Sequence, residues 1–208
     1  MLRQSPERSP IVALFTVALV ITVVLLEVGA IAYAYERIGI ESRYLISLLA
    51  LSLMGSGLNL PIARSHRDEP ASDEQGSAAA LAVNVGGALI PAGLSLYLLL
   101  RGAAPLTALI GVALVAAVVH RIARPLPGIG IAVPIVVPPL IAAASALLLA
   151  PAAAPAFAYV AGSLGTLIGA DLTNLGTLRR LGGPVASIGG AGTFDGIFVT
   201  GILAVLLA

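Results

Sequence analysis

Long apolar stretches alternate with short polar segments along the whole chain. A helix that crosses the hydrocarbon core of a membrane needs about 20 mostly apolar residues. Stretches of this kind cover roughly residues 11–35, 44–63, 78–100, 103–120, 131–150, 153–174 and 188–208. The sequence therefore predicts an all-α fold, a polytopic transmembrane helix bundle of about seven spans, as a single integral membrane domain over residues 1–208.

Proline and glycine interrupt several of the predicted helices. Pro134, Pro138 and Pro139 lie in the fifth stretch, and glycines crowd the start of the seventh. Proline removes a backbone donor, and broken helices persist in membranes only where protein or a watery cavity satisfies the freed groups. The fifth and seventh stretches are therefore interpreted either as full spans with simple kinks or as half-helices and re-entrant segments.

Composition supports lipid as the main solvent of the chain. Hydrophobic residues make up 59% of the sequence, charged residues 10%, and the mean hydropathy is +1.05. A net charge of +1 offers no large basic face, so the lipid bilayer, and not nucleic acid, is the expected partner. The chain has no cysteine, no phosphate loop and no His-x-x-x-His pair, so we expect neither a cofactor nor a resident metal.

The distribution of arginine predicts the orientation of the spans. If the N-terminus lies inside, eight arginines fall on the inner side and three on the outer side, in agreement with the positive-inside rule. The N-terminus is therefore expected inside and the C-terminus outside. The outer arginines would be Arg37, Arg43 and Arg101, and the inner ones Arg3, Arg8, Arg64, Arg67, Arg121, Arg124, Arg179 and Arg180.

Three carboxylates fall within predicted spans, where ionisable side chains are costly and mark functional sites. With a helix rise of 1.5 Å per residue, Asp171 lies about 5 Å and Asp195 roughly 9 Å below the inner surface. Glu27 lies about 24 Å from the start of its helix, in the outer third of the membrane. The two aspartates thus share one layer on consecutive helices. Glu27 is expected either in a permeation route, or extended towards the outer surface or paired with an outer arginine.

Further polar residues fall in the same inner layer and predict a polar cavity that opens inward if their faces converge. For the asparagines the alternative is hydrogen bonding between helices, and for the histidine it is an anchor at the membrane interface. These residues are Asn59, Asn84, His120 and Asn174.

Glycines surround both aspartates. Small residues let helix backbones approach closely, and glycine leaves backbone groups open to a ligand. The glycines to which we assign these roles are Gly169, Gly190, Gly192 and Gly196.

Residues 169–175 and 187–198 resemble an uncharacterised family of small prokaryotic polytopic membrane proteins, which implies a multi-pass protein of a prokaryotic cell membrane. About forty residues are also similar, more weakly, to presenilin-type (GxGD) intramembrane aspartyl proteases. In that family one catalytic aspartate lies in the sixth helix, and another follows a Gly-x-Gly at the start of the seventh. The similarity implies that Asp171 and Asp195 are catalytic, although Thr193 and Phe194 separate Asp195 from its Gly-x-Gly, and the predicted spans are fewer.

Three functions remain open from the sequence. An aspartyl protease would use the two aspartates as a pair that shares one proton and would cleave a transmembrane peptide. An ion- or proton-coupled transporter or channel would line a pathway for a small ion with the same polar layer. A non-catalytic scaffold would use its glycine-rich helix faces to assemble an oligomer or a complex.

Overall fold

The computed structural model describes residues 10–63, 80–126, 130–179, 185–190 and 196–208. The described chain is mostly helical, as predicted. Its α-helices are α1 (Pro10–Arg37), α2 (Leu45–Ser56), α3 (Ile90–Leu100), α4 (Ala108–Ile122), α5 (Val137–Leu149), α6 (Ala154–Thr166), α7 (Leu175–Leu178) and α8 (Gly196–Leu207). A π-helical turn, Val85–Leu89, precedes α3, and a second one, Leu167–Asp171, follows α6. Short 3₁₀ turns are Ser42–Tyr44, Pro151–Ala153 and Leu172–Asn174.

Short strands replace parts of the predicted spans. They are β1 (Asn59–Ala63), β2 (Ala80–Asn84), β3 (Arg124–Leu126), β4 (Gly130–Ala132) and β5 (Val185–Ile188). One sheet has the order β1-β2-β5, with β1 antiparallel and β5 parallel to β2, and β3 pairs antiparallel with β4. Pro61 explains why α2 does not continue through the second predicted span, since proline supplies no helical donor. Pro61 instead occupies an edge strand, where proline is tolerated.

The prolines of the fifth predicted span begin a helix and do not kink one. Pro138 and Pro139 fall in the first turn of α5, where the backbone N–H groups have no partner inside the helix in any case. Pro155 holds the equivalent position in α6, whereas Pro91 in α3 follows directly on the π-helical turn. Helix α5 consequently has 13 residues, fewer than the predicted span 131–150, and the described helix α8 has 12 residues.

Helix α6 lies at the centre of the fold and contacts α3, α4, α5 and α8. Glycines set two of these contacts. A Cβ added at Gly169 would lie 2.5 Å from the carbonyl oxygen of Ala116 in α4, and one at Gly162 would touch Thr200 and Ala204 in α8. The close approach predicted for Gly169 is therefore made to α4, and α8 packs on another face of α6.

Two hydrophobic clusters form the core. The larger one joins the C-terminal end of α1 with α3, α4, α5, α6 and α8. The smaller one packs the β1-β2-β5 sheet against the end of α6 and the start of α8, through Leu81, Ala88, Leu167, Leu178, Ala186, Ile188 and Ile197. The polar residues of the sheet therefore lie near the point where α6 ends and α8 begins.

Among the described residues, two helices are long and apolar enough to cross a membrane, by length and composition. They are Leu19–Arg37, which is mostly exposed, and Pro151–Leu178, which is mostly buried within the protein. The other apolar helices are shorter, and they are Val85–Leu100, Ala108–Ile122, Val137–Leu149 and Gly196–Leu207.

Candidate functional site

The helical winding of α6 changes just before Asp171. The π-helical turn is followed by a 3₁₀ turn, and both leave carbonyl groups without their normal helical donors. Two side chains supply these donors. Thr173 Oγ1 donates to the carbonyl of Gly169 at 2.8 Å, and Asn174 Nδ2 donates to the carbonyls of Gly169 and Ala170 at 3.0 and 2.9 Å. Asn174 therefore stabilises the end of this helix through its side-chain hydrogen bonds.

His120, at the end of α4, also contacts this helix end, through Thr173. Its Nδ1 lies 2.9 Å from Thr173 Oγ1. Because the Thr173 hydroxyl proton is directed at the carbonyl of Gly169, His120 Nδ1 is the donor in this pair. His120 itself is exposed at the end of α4 and ties that helix to the turn that carries Asp171.

Asp171 is buried, with 7% of its surface exposed. Its Oδ2 accepts a hydrogen bond of 2.7 Å from the backbone N–H of Gly189, the residue that follows β5. Gly189 has a φ of +83°, and an added Cβ would lie 2.6 Å from the backbone nitrogen of Ala88. Only glycine meets both conditions, so the backbone donor of Asp171 depends on glycine at position 189.

Asp171 opens into a cavity of about 240 Å³. Liquid water occupies about 30 Å³ per molecule, so the cavity has room for several waters or for a few atoms of a ligand. Its walls come from the end of α6, the start of α8 and the extended segment that precedes α5. The lining residues are Asp171, Thr166, Ala170, Gly196, Ile197, Thr200, Pro138 and residues 131–135.

Asp195 and Gly192 lie outside the described residues, so their predicted roles stay predictions. The described residue next to Asp195 in sequence is Gly196, which begins α8 and lines the Asp171 cavity. A Cβ added at Gly196 would meet no atom within 4 Å, so no close helix contact requires glycine there. Gly190 has a φ of +75° and continues the left-handed turn that begins at Gly189.

Asn59 and Asn84 face each other across β1 and β2. Asn84 Nδ2 donates to Asn59 Oδ1 at 3.2 Å and to the carbonyl of Ser56 at 2.7 Å, while its Oδ1 accepts from the Gly87 N–H at 2.7 Å. The two asparagines thus hydrogen-bond to each other, and Asn84 caps the helical segment that leads into α3. The structure does not place them on the wall of the Asp171 cavity.

Glu27 lies on the exposed face of α1, beside Leu25 and Leu26, which are also exposed. The C-terminal end of α1 is attached to α8, because Arg37 Nη1 donates to the carbonyl of Val205 at 2.8 Å. The structure therefore brings Glu27 together with neither Asp171 nor the asparagine pair.

Two threonines of the cavity wall escaped the sequence analysis. Thr166 and Thr200 are 4% and 2% exposed, and Thr166 lies five residues before Asp171. A spacing of five does not fit one face of an α-helix, but the π turn between them places both residues on the cavity. A sequence signal for this turn is weak, because the flanking residues are apolar.

Unpartnered hydroxyls are a further feature of the region. Among the described residues, the hydroxyls of Tyr35 and Thr166 are buried and have no hydrogen-bond partner, whereas the buried Ser163 hydroxyl bonds to the Tyr159 phenol. Each unpartnered hydroxyl costs about 1–3 kcal/mol if it remains unsatisfied. In the part of the chain that the structure describes, no group of three His, Asp or Glu side chains lies close enough together to hold a metal ion.

The family model described as "Protein of unknown function (DUF1614)" matches residues 53–207 of the chain. The match covers all described elements from β1 to α8, and it includes every residue that lines the Asp171 cavity. No curated protein and no solved structure matches the chain.

Proposed function

The chain belongs to the DUF1614 family, and from its site we propose that the protein is a multi-pass membrane protein with intramembrane aspartyl-protease-like activity. One observation carries the proposal. The buried carboxylate of Asp171 lines the same cavity as Gly196, the residue that follows Asp195 in the chain. Consecutive Cα atoms are 3.8 Å apart, so this placement supports a pair of aspartates at one cavity.

The apolar surface supports the multi-pass part of the proposal. Large aliphatic side chains are strongly exposed on several helices, with Leu148 at 82%, Leu100 at 78% and Ile46 at 77%. Exposed apolar patches of this extent are rare on soluble monomers, whereas lipid would cover them without cost.

Arginine–tyrosine pairs support a membrane boundary at the end of the bundle predicted to lie outside. Each of the three arginines assigned to that side places its guanidinium over a tyrosine ring, and tyrosines and arginines are both typical of membrane–water interfaces. The pairs are Arg37 with Tyr33 at 5.9 Å, Arg43 with Tyr44 at 4.8 Å and Arg101 with Tyr97 at 5.7 Å.

The proposed chemistry follows from the environment of Asp171. The Gly189 N–H stabilises a negative charge on Oδ2, so we assign Asp171 as the base that takes a proton from water. The water oxygen attacks the scissile carbonyl carbon, and Asp195, holding the proton that the pair shares, gives it to the leaving nitrogen. The substrate class is a transmembrane peptide that is unwound at the cavity.

Cleavage of transmembrane peptides by the purified protein in proteoliposomes tests the proposal. We expect mass spectrometry to detect peptide fragments with the wild-type protein and about 10³-fold slower cleavage with Asp195→Asn, because general acid catalysis is lost. The matched control is Glu41→Gln, which neutralises an exposed carboxylate paired with Arg43 and should cleave at the wild-type rate. Wild-type cleavage by Asp195→Asn, or no cleavage by the wild-type protein, would overturn the hydrolytic role.

Membrane depth tests the arrangement of spans separately. The chain has no tryptophan, so Tyr97→Trp and Leu114→Trp each introduce a single fluorophore. Tyr97 lies beside Arg101 and should be quenched most by lipids brominated near the headgroup, whereas the exposed Leu114 in the middle of α4 should be quenched most by bromine deep in the acyl chains. Equal quenching profiles for the two variants would contradict a transmembrane α4.

A further inference from the structure

Hydroxyl groups occupy one face of α6 above Asp171. Tyr159, Ser163 and Thr166 follow each other at spacings of four and three residues, which places them along the same side of the helix. All three residues are buried. The π turn after Thr166 then brings Asp171 to the cavity that Thr166 also lines. A line of hydroxyls therefore leads away from the carboxylate towards the other end of α6.

Helix α8 covers this line. A Cβ added at Gly201 would lie 2.4 Å from Ser163 Oγ and 3.1 Å from Tyr159 Cε2, so both side chains are directed at the backbone of α8. At the cavity end, Thr200 of α8 lies with Thr166 on the same wall. We call the contact between these two helix faces the α6–α8 interface.

A tyrosine of α1 continues the line at its far end. The phenol groups of Tyr35 and Tyr159 lie close enough to interact electrostatically, and both residues belong to the larger hydrophobic cluster. Tyr35 is completely buried near the connection between α1 and α2. The hydroxyls therefore reach from the cavity to the end of the bundle that carries the arginine–tyrosine pairs.

Unpartnered hydroxyls lie at both ends of this line. Tyr35 Oη and Thr166 Oγ1 have no protein partner, and between them the Ser163 hydroxyl hydrogen-bonds to the Tyr159 phenol. Two buried serines of other helices bond instead to a carbonyl of their own helix. Ser95 Oγ in α3 donates to the carbonyl of Pro91 at 2.8 Å, and Ser145 Oγ in α5 donates to the carbonyl of Ala142 at 2.9 Å. Buried polar groups that lack protein partners are usually satisfied by internal water.

We propose that the α6–α8 interface binds a file of internal water molecules that runs from the Asp171 cavity past Thr166, Ser163 and Tyr159 to Tyr35. The ligand is water itself, held by hydroxyls that each donate one hydrogen bond and accept others. This file supplies the cavity with water from within the bundle. The inference uses the position of Asp171 and does not depend on the hydrolytic activity proposed above.

Hydroxyl-radical footprinting by brief X-ray exposure tests the file, because radiolysis of bound water labels buried side chains next to it. We expect Tyr35 and Tyr159 to be labelled in the full-length protein although both are buried. Phe157, equally buried on α6 and without a polar atom in its side chain, is the matched aromatic control. Labelling of the two tyrosines no higher than that of Phe157 would overturn the proposal.

Substitutions locate the waters on the file. Ser163→Ala and Thr166→Val should each lower the labelling of Tyr159 by about threefold, since they remove ligands of the same waters. Ser145→Ala removes a buried hydroxyl that already has a protein partner, and it should leave the labelling unchanged. Unchanged labelling in Ser163→Ala, or an equal loss in Ser145→Ala, would contradict the file. Because no substrate is present, failure here is distinct from failure of peptide cleavage.

Discussion

Replacing Asp171 with asparagine should slow peptide cleavage about 10³-fold and leave the fold unchanged, because an amide cannot act as a base. The fold should persist because the carbonyl oxygen of the amide still accepts the hydrogen bond from Gly189 N–H. Cleavage rates in proteoliposomes and the midpoint of thermal unfolding measure the two effects separately.

A second substitution separates catalysis from structure. Asp171→Ala should be equally inactive, and it should also lose about 1–3 kcal/mol of stability, because the buried Gly189 N–H is left without an acceptor. If Asp171→Asn cleaves peptide at the wild-type rate, Asp171 is not the base. If both variants are inactive but equally unstable, the loss of activity reflects a damaged structure.

Gly86→Ala should destabilise the protein by about 3 kcal/mol or more, since overpacking against backbone cannot relax by a side-chain rotation. An added Cβ would lie 2.1 Å from the carbonyl oxygen of Ser52 and 2.4 Å from the backbone nitrogen of Ser56, both in α2. The π-helical turn that contains Gly86 would have to move away from α2. Denaturant unfolding in detergent micelles, followed by circular dichroism, measures the change.

The matched control lies seven residues later on the same segment. A Cβ added at Gly93 in α3 meets no atom within 4 Å, so Gly93→Ala should be neutral or stabilise the protein by up to about 1 kcal/mol through helix propensity. Equal stability of Gly86→Ala and Gly93→Ala would contradict the close contact between α2 and the turn at Gly86.

Hydrophobic patterning predicted the position of most helices but not where they end. The mean hydropathy of a 20-residue window does not distinguish a continuous helix from a shorter helix followed by a strand, because both segments are apolar. The local signals were present at Pro61, which keeps residues 59–63 out of a helix, and at Pro138, which lies in the first turn of α5. Whether the segment around Pro61 forms a strand depends on its pairing with β2, and where α5 begins depends on its packing against α6. Neither contact can be read from one segment of the sequence.

The candidate site was predicted in part. Asp171 stands out in the sequence because acids are rare in apolar segments, and the structure buries it beside a cavity. The predicted depth of Asn59 and Asn84 along their segments is the same as that of the cavity residues. Their hydrogen bond to each other forms only when β1 pairs with β2, which depth does not predict. Thr166 was missed because a π turn changes which residues share a face.

The parallel pairing of β5 with β2 makes assembly of the site a late event in biosynthesis. Strand β2 emerges from the ribosome long before β5, and all of α3 to α7 lies between them in the chain. The N–H of Gly189 reaches Asp171 only after β5 has docked beside β2. A nascent chain therefore carries Asp171 without this donor until β5 is in place, and the cavity is completed only when α8 packs against α6.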